Sequence, residues 1–172
     1  SAPQMREFVA DPGNDLTDEF LDYAQSKGDR CYAVFDGDVL VTYGWYSRMP
    51  TRFIKGLQIE FGDTDVYKYR SYTHPAYRGR RIHAFGSANA CRALRVMGYR
   101  RIVAYVDAKN ESSLRAVRRL GYKSHDRIRV LRILGVNFVR PQETAPHVLS
   151  LVRTRGPALL RWTQQRRLAA AV

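Results

Sequence analysis

Arg78, Arg80 and Arg81 sit in one short turn, Tyr77-Arg78-Gly79-Arg80-Arg81, which runs directly into an apolar-striped segment beginning at Ile82. Such a turn sets guanidinium groups beside the unpaired N–H groups of a helix start, and that combined field suits a phosphate. Arginine also meets phosphate oxygens in bidentate fashion. Further along, Asn110-Glu111-Ser112-Ser113 opens a second helical pattern, with Asn110 of the type that caps helix amides. The remaining polar clusters carry less. Ser112, His125 and Asp126 lack a nucleophile turn, and the histidines at 74, 83, 125 and 147 lack metal-ligand spacing. Hydrolase and metal chemistry are not indicated, and no metal is expected.

The elements that must position the basic turn are legible from periodicity. Val66 to Thr73 reads as a strand with Pro75 just beyond it, and from Gly79 the period becomes helical. Ile82, Phe85, Gly86, Ala90, Ala93, Leu94 and Met97 form the stripe of that helix, and Gly98 ends it. Ile102 to Val106 is an apolar run of strand length, suited to a strand covered on both faces. A strand, a crossover helix and a parallel strand are therefore expected. The Asn110 helix carries Leu114, Val117 and Leu120 and stops at Gly121, after which Ile128 to Val139 predicts one or two strands with a bend at Gly135.

Upstream, Leu16, Phe20 and Tyr23 predict a helix from Asp15 to Ala24, capped by Asn14 or Asp15 and closed by Gly28. Arg30 to Phe35 and Val39 to Trp45 read as a hairpin across Asp36-Gly37-Asp38. Ser47 to Gly56 reads as loop, and Leu57 to Phe61 as a strand closed by Gly62-Asp63. Pro141 to Pro146 reads as a linker, and Ala158 to Ala171, with Arg161, Arg166 and Arg167, as a helix.

With 172 residues and 45% hydrophobic content, one domain can bury a core without staples. The reading is a domain over residues 1–140 and a basic, helical C-terminal extension over 141–172. Neither a signal peptide nor an apolar run of spanning length is present, so a cytoplasmic location is expected. Cys31 and Cys91 suggest neither a disulfide framework nor a zinc site, and both are expected reduced and buried. Charge is divided sharply: residues 1–65 hold 6 Lys/Arg against 12 Asp/Glu, whereas residues 66–172 hold 23 against 4. The second part, at +19, attracts polyanions, phosphorylated cofactors or acidic partners. Tyr67, Tyr69 and Tyr72 with Arg70 alternate as a nucleic-acid platform might, but core lining is the commoner use and nucleic acid is not the expected partner.

The whole run from Tyr72 to Tyr122 resembles the acyl-donor half of the GNAT superfamily of N-acyltransferases. The resemblance implies an α/β fold: a mixed, mostly antiparallel sheet with a central splayed parallel pair flanked by helices. It implies that Tyr72, Thr73 and His74 lend backbone groups to a pantetheine arm. The family's phosphate turn, Gln or Arg, two residues, Gly, one residue, Gly or Ala, falls on Arg78-Gly79-Arg80-Arg81-Ile82-His83, with Arg81 and His83 replacing both small residues. The second family helix falls on Asn110, Ser113, Val117 and Gly121-Tyr122. Val117 stands where the family often has Tyr, so the thiolate leaves unaided or is protonated by another group or by water.

The resemblance implies attack of a substrate amine on a thioester carbonyl, with acetyl-CoA or another acyl-CoA as donor and a small molecule or amino acid derivative as acceptor. Glu60 and His74 are the candidate bases. A variant replaces CoA by an acidic acyl carrier protein, which the +19 segment would attract. The alternative class is a non-catalytic module that holds a ligand or nucleic acid on the same fold. The basic tail packs on the domain, joins a homodimer, or touches a membrane surface peripherally.

Overall fold

The computed structural model describes residues 2–124, 127–133, 136–142 and 149–154. In chain order these form 3-10 turns Pro3–Ala10 and Pro12–Asn14, α1 (Asp18–Ser26), β1 (Arg30–Asp36), β2 (Val39–Ser47), β3 (Thr51–Ile54), β4 (Leu57–Phe61), β5 (Asp65–Thr73), a 3-10 turn Pro75–Tyr77, α2 (Ile82–Val96), β6 (Arg101–Ala104), α3 (Glu111–Arg119), β7 (Arg127–Ile133), β8 (Val136–Gln142) and β9 (Leu149–Arg153). The chain groups into two compact units, Ser1–Arg48 with Val66–Ile102 and Met49–Asp65 with Val103–Val172.

The first unit is organised by β2, whose residues after Val39 are all buried. That pattern belongs to a strand covered on both faces. The sheet order is β1-β2-β5-β6, so β6 lies beside β5, reached through α2 as expected for a strand–helix–strand crossover. On one face Met5, Leu16, Leu21, Ala24, Tyr43 and Trp45 pack together, and Phe20 meets the Trp45 ring edge-on at 5.2 Å. On the other, Tyr46 and Val66 pack against Ala90 and Leu94 of α2. Gly86 lets α2 approach closely, because a Cβ there would meet Val34 Cγ2 at 3.3 Å.

The β2–β5 ladder is antiparallel and slips where Gly44 opposes Ser71 but Trp45 opposes Tyr69. Arg70 is the extra residue, with φ of 36°, a bulge that shifts the side-chain alternation by one. Tyr69 and Tyr72 consequently pack on the same core face. Asp15 Oδ1 holds the bulge through Arg70 Nη2 at 2.9 Å, and the guanidinium lies 4.2 Å from the Phe20 ring centroid.

In the second unit β3, β4 and β9 form an antiparallel sheet, and β7 and β8 pair as a hairpin. Asn137 Nδ2 donates to the Lys55 carbonyl at 2.8 Å, which fixes the hairpin to the β3–β4 turn. Several expectations change. The first helix starts at Asp18, because Thr17 accepts from Phe20 N, while Asn14 is buried and Asp15 serves Arg70. Part of the expected Ser47–Gly56 loop is β3, whose ladder with β4 sequence periodicity over four residues does not disclose. The apolar run after Ile102 yields strand only to Ala104. Phe85 is 61% exposed instead of facing the sheet, and Cys91 is exposed. β8 reaches Gln142 and β9 pairs with β4, so the stretch after residue 140 contributes strands. His125, Asp126, Gly135, most of the Pro141–Pro146 linker, His147 and the Ala158–Ala171 helix lie outside the described residues.

The least expected core group is Lys68, only 6% exposed on β5. Its Nζ donates to Ser87 Oγ at 3.0 Å and lies 3.3 Å from His83 Nε2, both on α2. Burial pushes its pKa down to about 8. Burial, with the Lys68 charge beside it, also pushes His83 down to about 4, so the imidazole is neutral and Nε2 accepts.

An ammonium whose folded pKa lies below its unfolded value weakens the fold wherever it is charged in both states, and that penalty fades as pH rises from about 8 towards 10.5. Lys68→Met is therefore expected to raise stability at pH 7 by on the order of 1–3 kcal/mol, after allowing for lost hydrogen bonds. The gap to the native protein should narrow as pH approaches 10.5. Denaturant unfolding of both proteins measures this as a difference, which cancels the opposite alkaline trend of buried Tyr43 and partly buried Tyr69. A gap that is unchanged or widens with pH contradicts the assignment.

Candidate functional site

The basic turn sits where β5 ends. Thr73 is the last strand residue, His74 N donates to the Val41 carbonyl at 2.8 Å, and the chain then enters the Pro75–Tyr77 turn. Tyr77 Oη donates to Asp36 Oδ2 at 2.8 Å, anchoring that turn to the end of β1. Arg80 lies 5.5 Å from the Tyr77 ring, while Arg78, Arg80 and Arg81 are all exposed. Arg78 Nε reaches back to the Thr73 carbonyl at 3.0 Å, and the Tyr72 carbonyl accepts from Thr42 Oγ1 at 2.6 Å. The Tyr72 ring stacks on Tyr43 at 5.4 Å, and its buried hydroxyl has no hydrogen-bond partner among the described residues.

Arg81 is the residue before α2, with φ of 60° and ψ of 10° and no side-chain cap on the helix. The backbone therefore adopts the left-handed conformation that glycine supplies most readily, at a cost of about 1–2 kcal/mol for arginine. Its carbonyl accepts from Ala84 N and Phe85 N. Ile82 and His83 are the first two residues of α2, and their N–H groups belong to the helix start that attracts anions.

His83 replaces a small residue of the expected turn, and its placement decides whether the helix start is free. The imidazole points inward, held at 3.3 Å by Lys68, and lines a cleft with Tyr32, Thr42, Tyr46, Gly86 and Ser87. That cleft holds about 10 Å³, room for a single water. The side chain thus fills the interior under α2 and not the space in front of its first amides. Lys68 and Ser87 were missed as candidates; a lysine among strand residues reads as surface, and the only signal was its place between apolar neighbours.

His74 acts within the turn: Nδ1 accepts from Ala76 N at 3.3 Å, and the ring meets Tyr77 edge-on at 5.6 Å. Glu60 belongs to the second unit, on β4, where Oε1 accepts from Gln58 Nε2 at 2.9 Å. Asn110 also belongs there and caps α3, Oδ1 accepting from Ser113 N at 3.1 Å and from Ser112 Oγ at 2.9 Å. Val117 is buried, and Tyr122 N returns to the Val117 carbonyl past Gly121, whose φ is 82°. Among the described residues no group of His, Cys, Asp and Glu could hold a metal ion.

The comparisons bear on this arrangement directly. No curated protein gives a significant match. Among solved structures, an N-acetyltransferase from Staphylococcus aureus Mu50 superposes with a TM-score of 0.51 at 12% identity, over 78% of this chain and 73% of that one. AAC(6')-Iy, solved with the bisubstrate analogue CoA-S-monomethyl-acetylneamine, gives 0.54 at 15%, over 68% and 80%. YncA from Salmonella typhimurium, solved with acetyl-CoA, gives 0.52 at 17%, over 82% and 76%. At these identities the likeness is one of fold. The model of the acetyltransferase (GNAT) family matches residues 3–122, a span that takes in β5, the basic turn, α2 and the Asn110 helix, and the chain belongs to that family.

Proposed function

We propose that the protein is an N-acyltransferase that moves an acyl group, acetyl first of all, from a CoA thioester to the amine of a small molecule or amino acid derivative. The observation that carries the reading is the helix start at Arg81–His83, cleared by the inward turn of His83 and flanked by three exposed arginines. Helix-start amides and guanidinium groups are the two kinds of donor that a diphosphate recruits. Tyr72, Thr73 and His74 would then run beside the pantetheine arm, and Arg78, Gly79, Arg80, Arg81, Ile82 and His83 would form the phosphate turn, with Asn110 and Ser113 ordering the second helix start. The fold likeness to YncA, solved with acetyl-CoA, supports a donor of this class.

In the reaction the neutral amine nitrogen attacks the thioester carbonyl carbon, the C–N bond forms, the C–S bond breaks, and the thiolate leaves with the electron pair. The amine proton passes to water or to a base. His74 offers its Nδ1 to a backbone amide, so its Nε2 is the atom left for that role. Glu60 is the other candidate, and its carboxylate keeps acceptor capacity beyond the Gln58 bond. With Val117 buried where a tyrosine acid is usual, the thiolate leaves unaided or takes its proton from another group or from water. The setting is cytoplasmic, where acyl-CoA is available.

The +19 charge of residues 66–172 favours a second donor reading, an acidic acyl carrier protein bearing the same phosphopantetheine arm. Turnover with acetyl-CoA, long-chain acyl-CoA and acyl-carrier donors separates the two, and a carrier preference should collapse with added salt.

Replacing Arg78 and Arg80 by glutamine is expected to raise KM for acetyl-CoA about tenfold or more with kcat little changed, since each charge-assisted contact is worth about 1.5–3 kcal/mol. Steady-state kinetics with an unchanged KM would contradict the turn's role. Separately, Arg81→Val is expected to lower stability by about 1–2 kcal/mol while Arg81→Gly is tolerated, because only the backbone conformation distinguishes them. Equal effects in a denaturant series would contradict the strain argument.

A further inference from the structure

The β7–β8 hairpin presents one face outward. Leu131 and Phe138 are cross-strand partners, 59% and 53% exposed, and Val136 is 44% exposed. Arg127 and Arg129, on the same side of β7 by alternation, are exposed as well. The opposite side is turned in: Ile128, Val130 and Val139 are half-buried, and Asn137 is buried and tied to the Lys55 carbonyl. Arg153 Nη2 adds a bond to the Asn137 carbonyl at 3.3 Å. The hairpin cannot roll to bury Leu131 and Phe138 without breaking these bonds, so within the second unit the apolar face stays exposed among the described residues.

We infer that this face docks on an anionic lipid bilayer, with Leu131, Val136 and Phe138 entering the acyl boundary and Arg129 and Arg127 meeting lipid phosphates. Exposed apolar groups of this size mark an interaction site. The charge pattern selects the partner: residues 127–142 contain four arginines and no Asp or Glu. A second copy would bring another arginine-bearing strip without a carboxylate in it to answer Arg127 and Arg129. Arg129 lies two residues from Leu131 on the same side of β7, about 7 Å along a strand, and its long side chain reaches lipid phosphates beside the apolar groups. An interfacial element buries its apolar side by about 5–10 Å with its cations at headgroup level. The inference stands independently of the acyl-transfer reading.

Vesicle sedimentation of the full chain tests it, with vesicles of phosphatidylcholine alone and with a fraction of phosphatidylglycerol. The protein is expected to sediment with the anionic vesicles only. Leu131→Ser with Phe138→Ser should weaken binding at least tenfold, and Arg129→Gln about fivefold. Circular dichroism on each variant establishes that the fold is retained. Binding that survives the double substitution undiminished assigns the contact to the basic C-terminal residues and overturns the inference, as does equal sedimentation with neutral vesicles. Light scattering that shows a dimer dissociated by Leu131→Ser with Phe138→Ser assigns the face to a second copy, which also overturns it.

Discussion

The hydrogen bonds from the buried Lys68 ammonium to His83 and Ser87 are the constraint from which the rest of the first unit follows. An ion taken this far out of water costs several kcal/mol unless its partners are well placed, and here they are a hydroxyl and a neutral imidazole, with no carboxylate among the described partners. What the arrangement secures is position. It joins β5 to the first turns of α2 and draws His83 into the interior, so that a residue bulkier than the small one usual at that point leaves the helix start unobstructed.

Around this contact the other features are consistent. Gly86 brings α2 close to the sheet, Tyr77 fastens the preceding turn to Asp36, and Arg78 returns to the Thr73 carbonyl. The bulge at Arg70 sends both Tyr69 and Tyr72 to the α1 core, and Asp15 holds it in place. The backbone strain at Arg81 and the desolvation of Lys68 are local costs beside the start of one helix, next to the exposed arginines of the basic turn.

Much of this was legible in the sequence, for reasons that can be named. Period changes at Val66–Thr73, Ile82–Val96 and Glu111–Arg119 are long and strong, and the Asp36-Gly37-Asp38 turn is a local signal; these elements formed where expected. What escaped detection depends on tertiary partners. Four-residue β3 exists through its ladder to β4, Thr17 rather than Asn14 caps α1 because Asn14 is buried, and Phe85 follows the helical period yet faces solvent. The site divides in the same way: the basic turn was visible from residue type and spacing, whereas Lys68 became visible only once β5 and α2 were brought together. Where His83 points could not be read from its neighbours in the chain.

The most direct measurement is calorimetric titration of CoA, and of pantetheine as a control without phosphates, into the native protein and the Lys68→Met variant. If the Lys68–His83 contact keeps the helix start open, CoA should bind about tenfold or more weakly to the variant while pantetheine affinity stays the same. Equal CoA affinities in the two folded proteins would contradict the account.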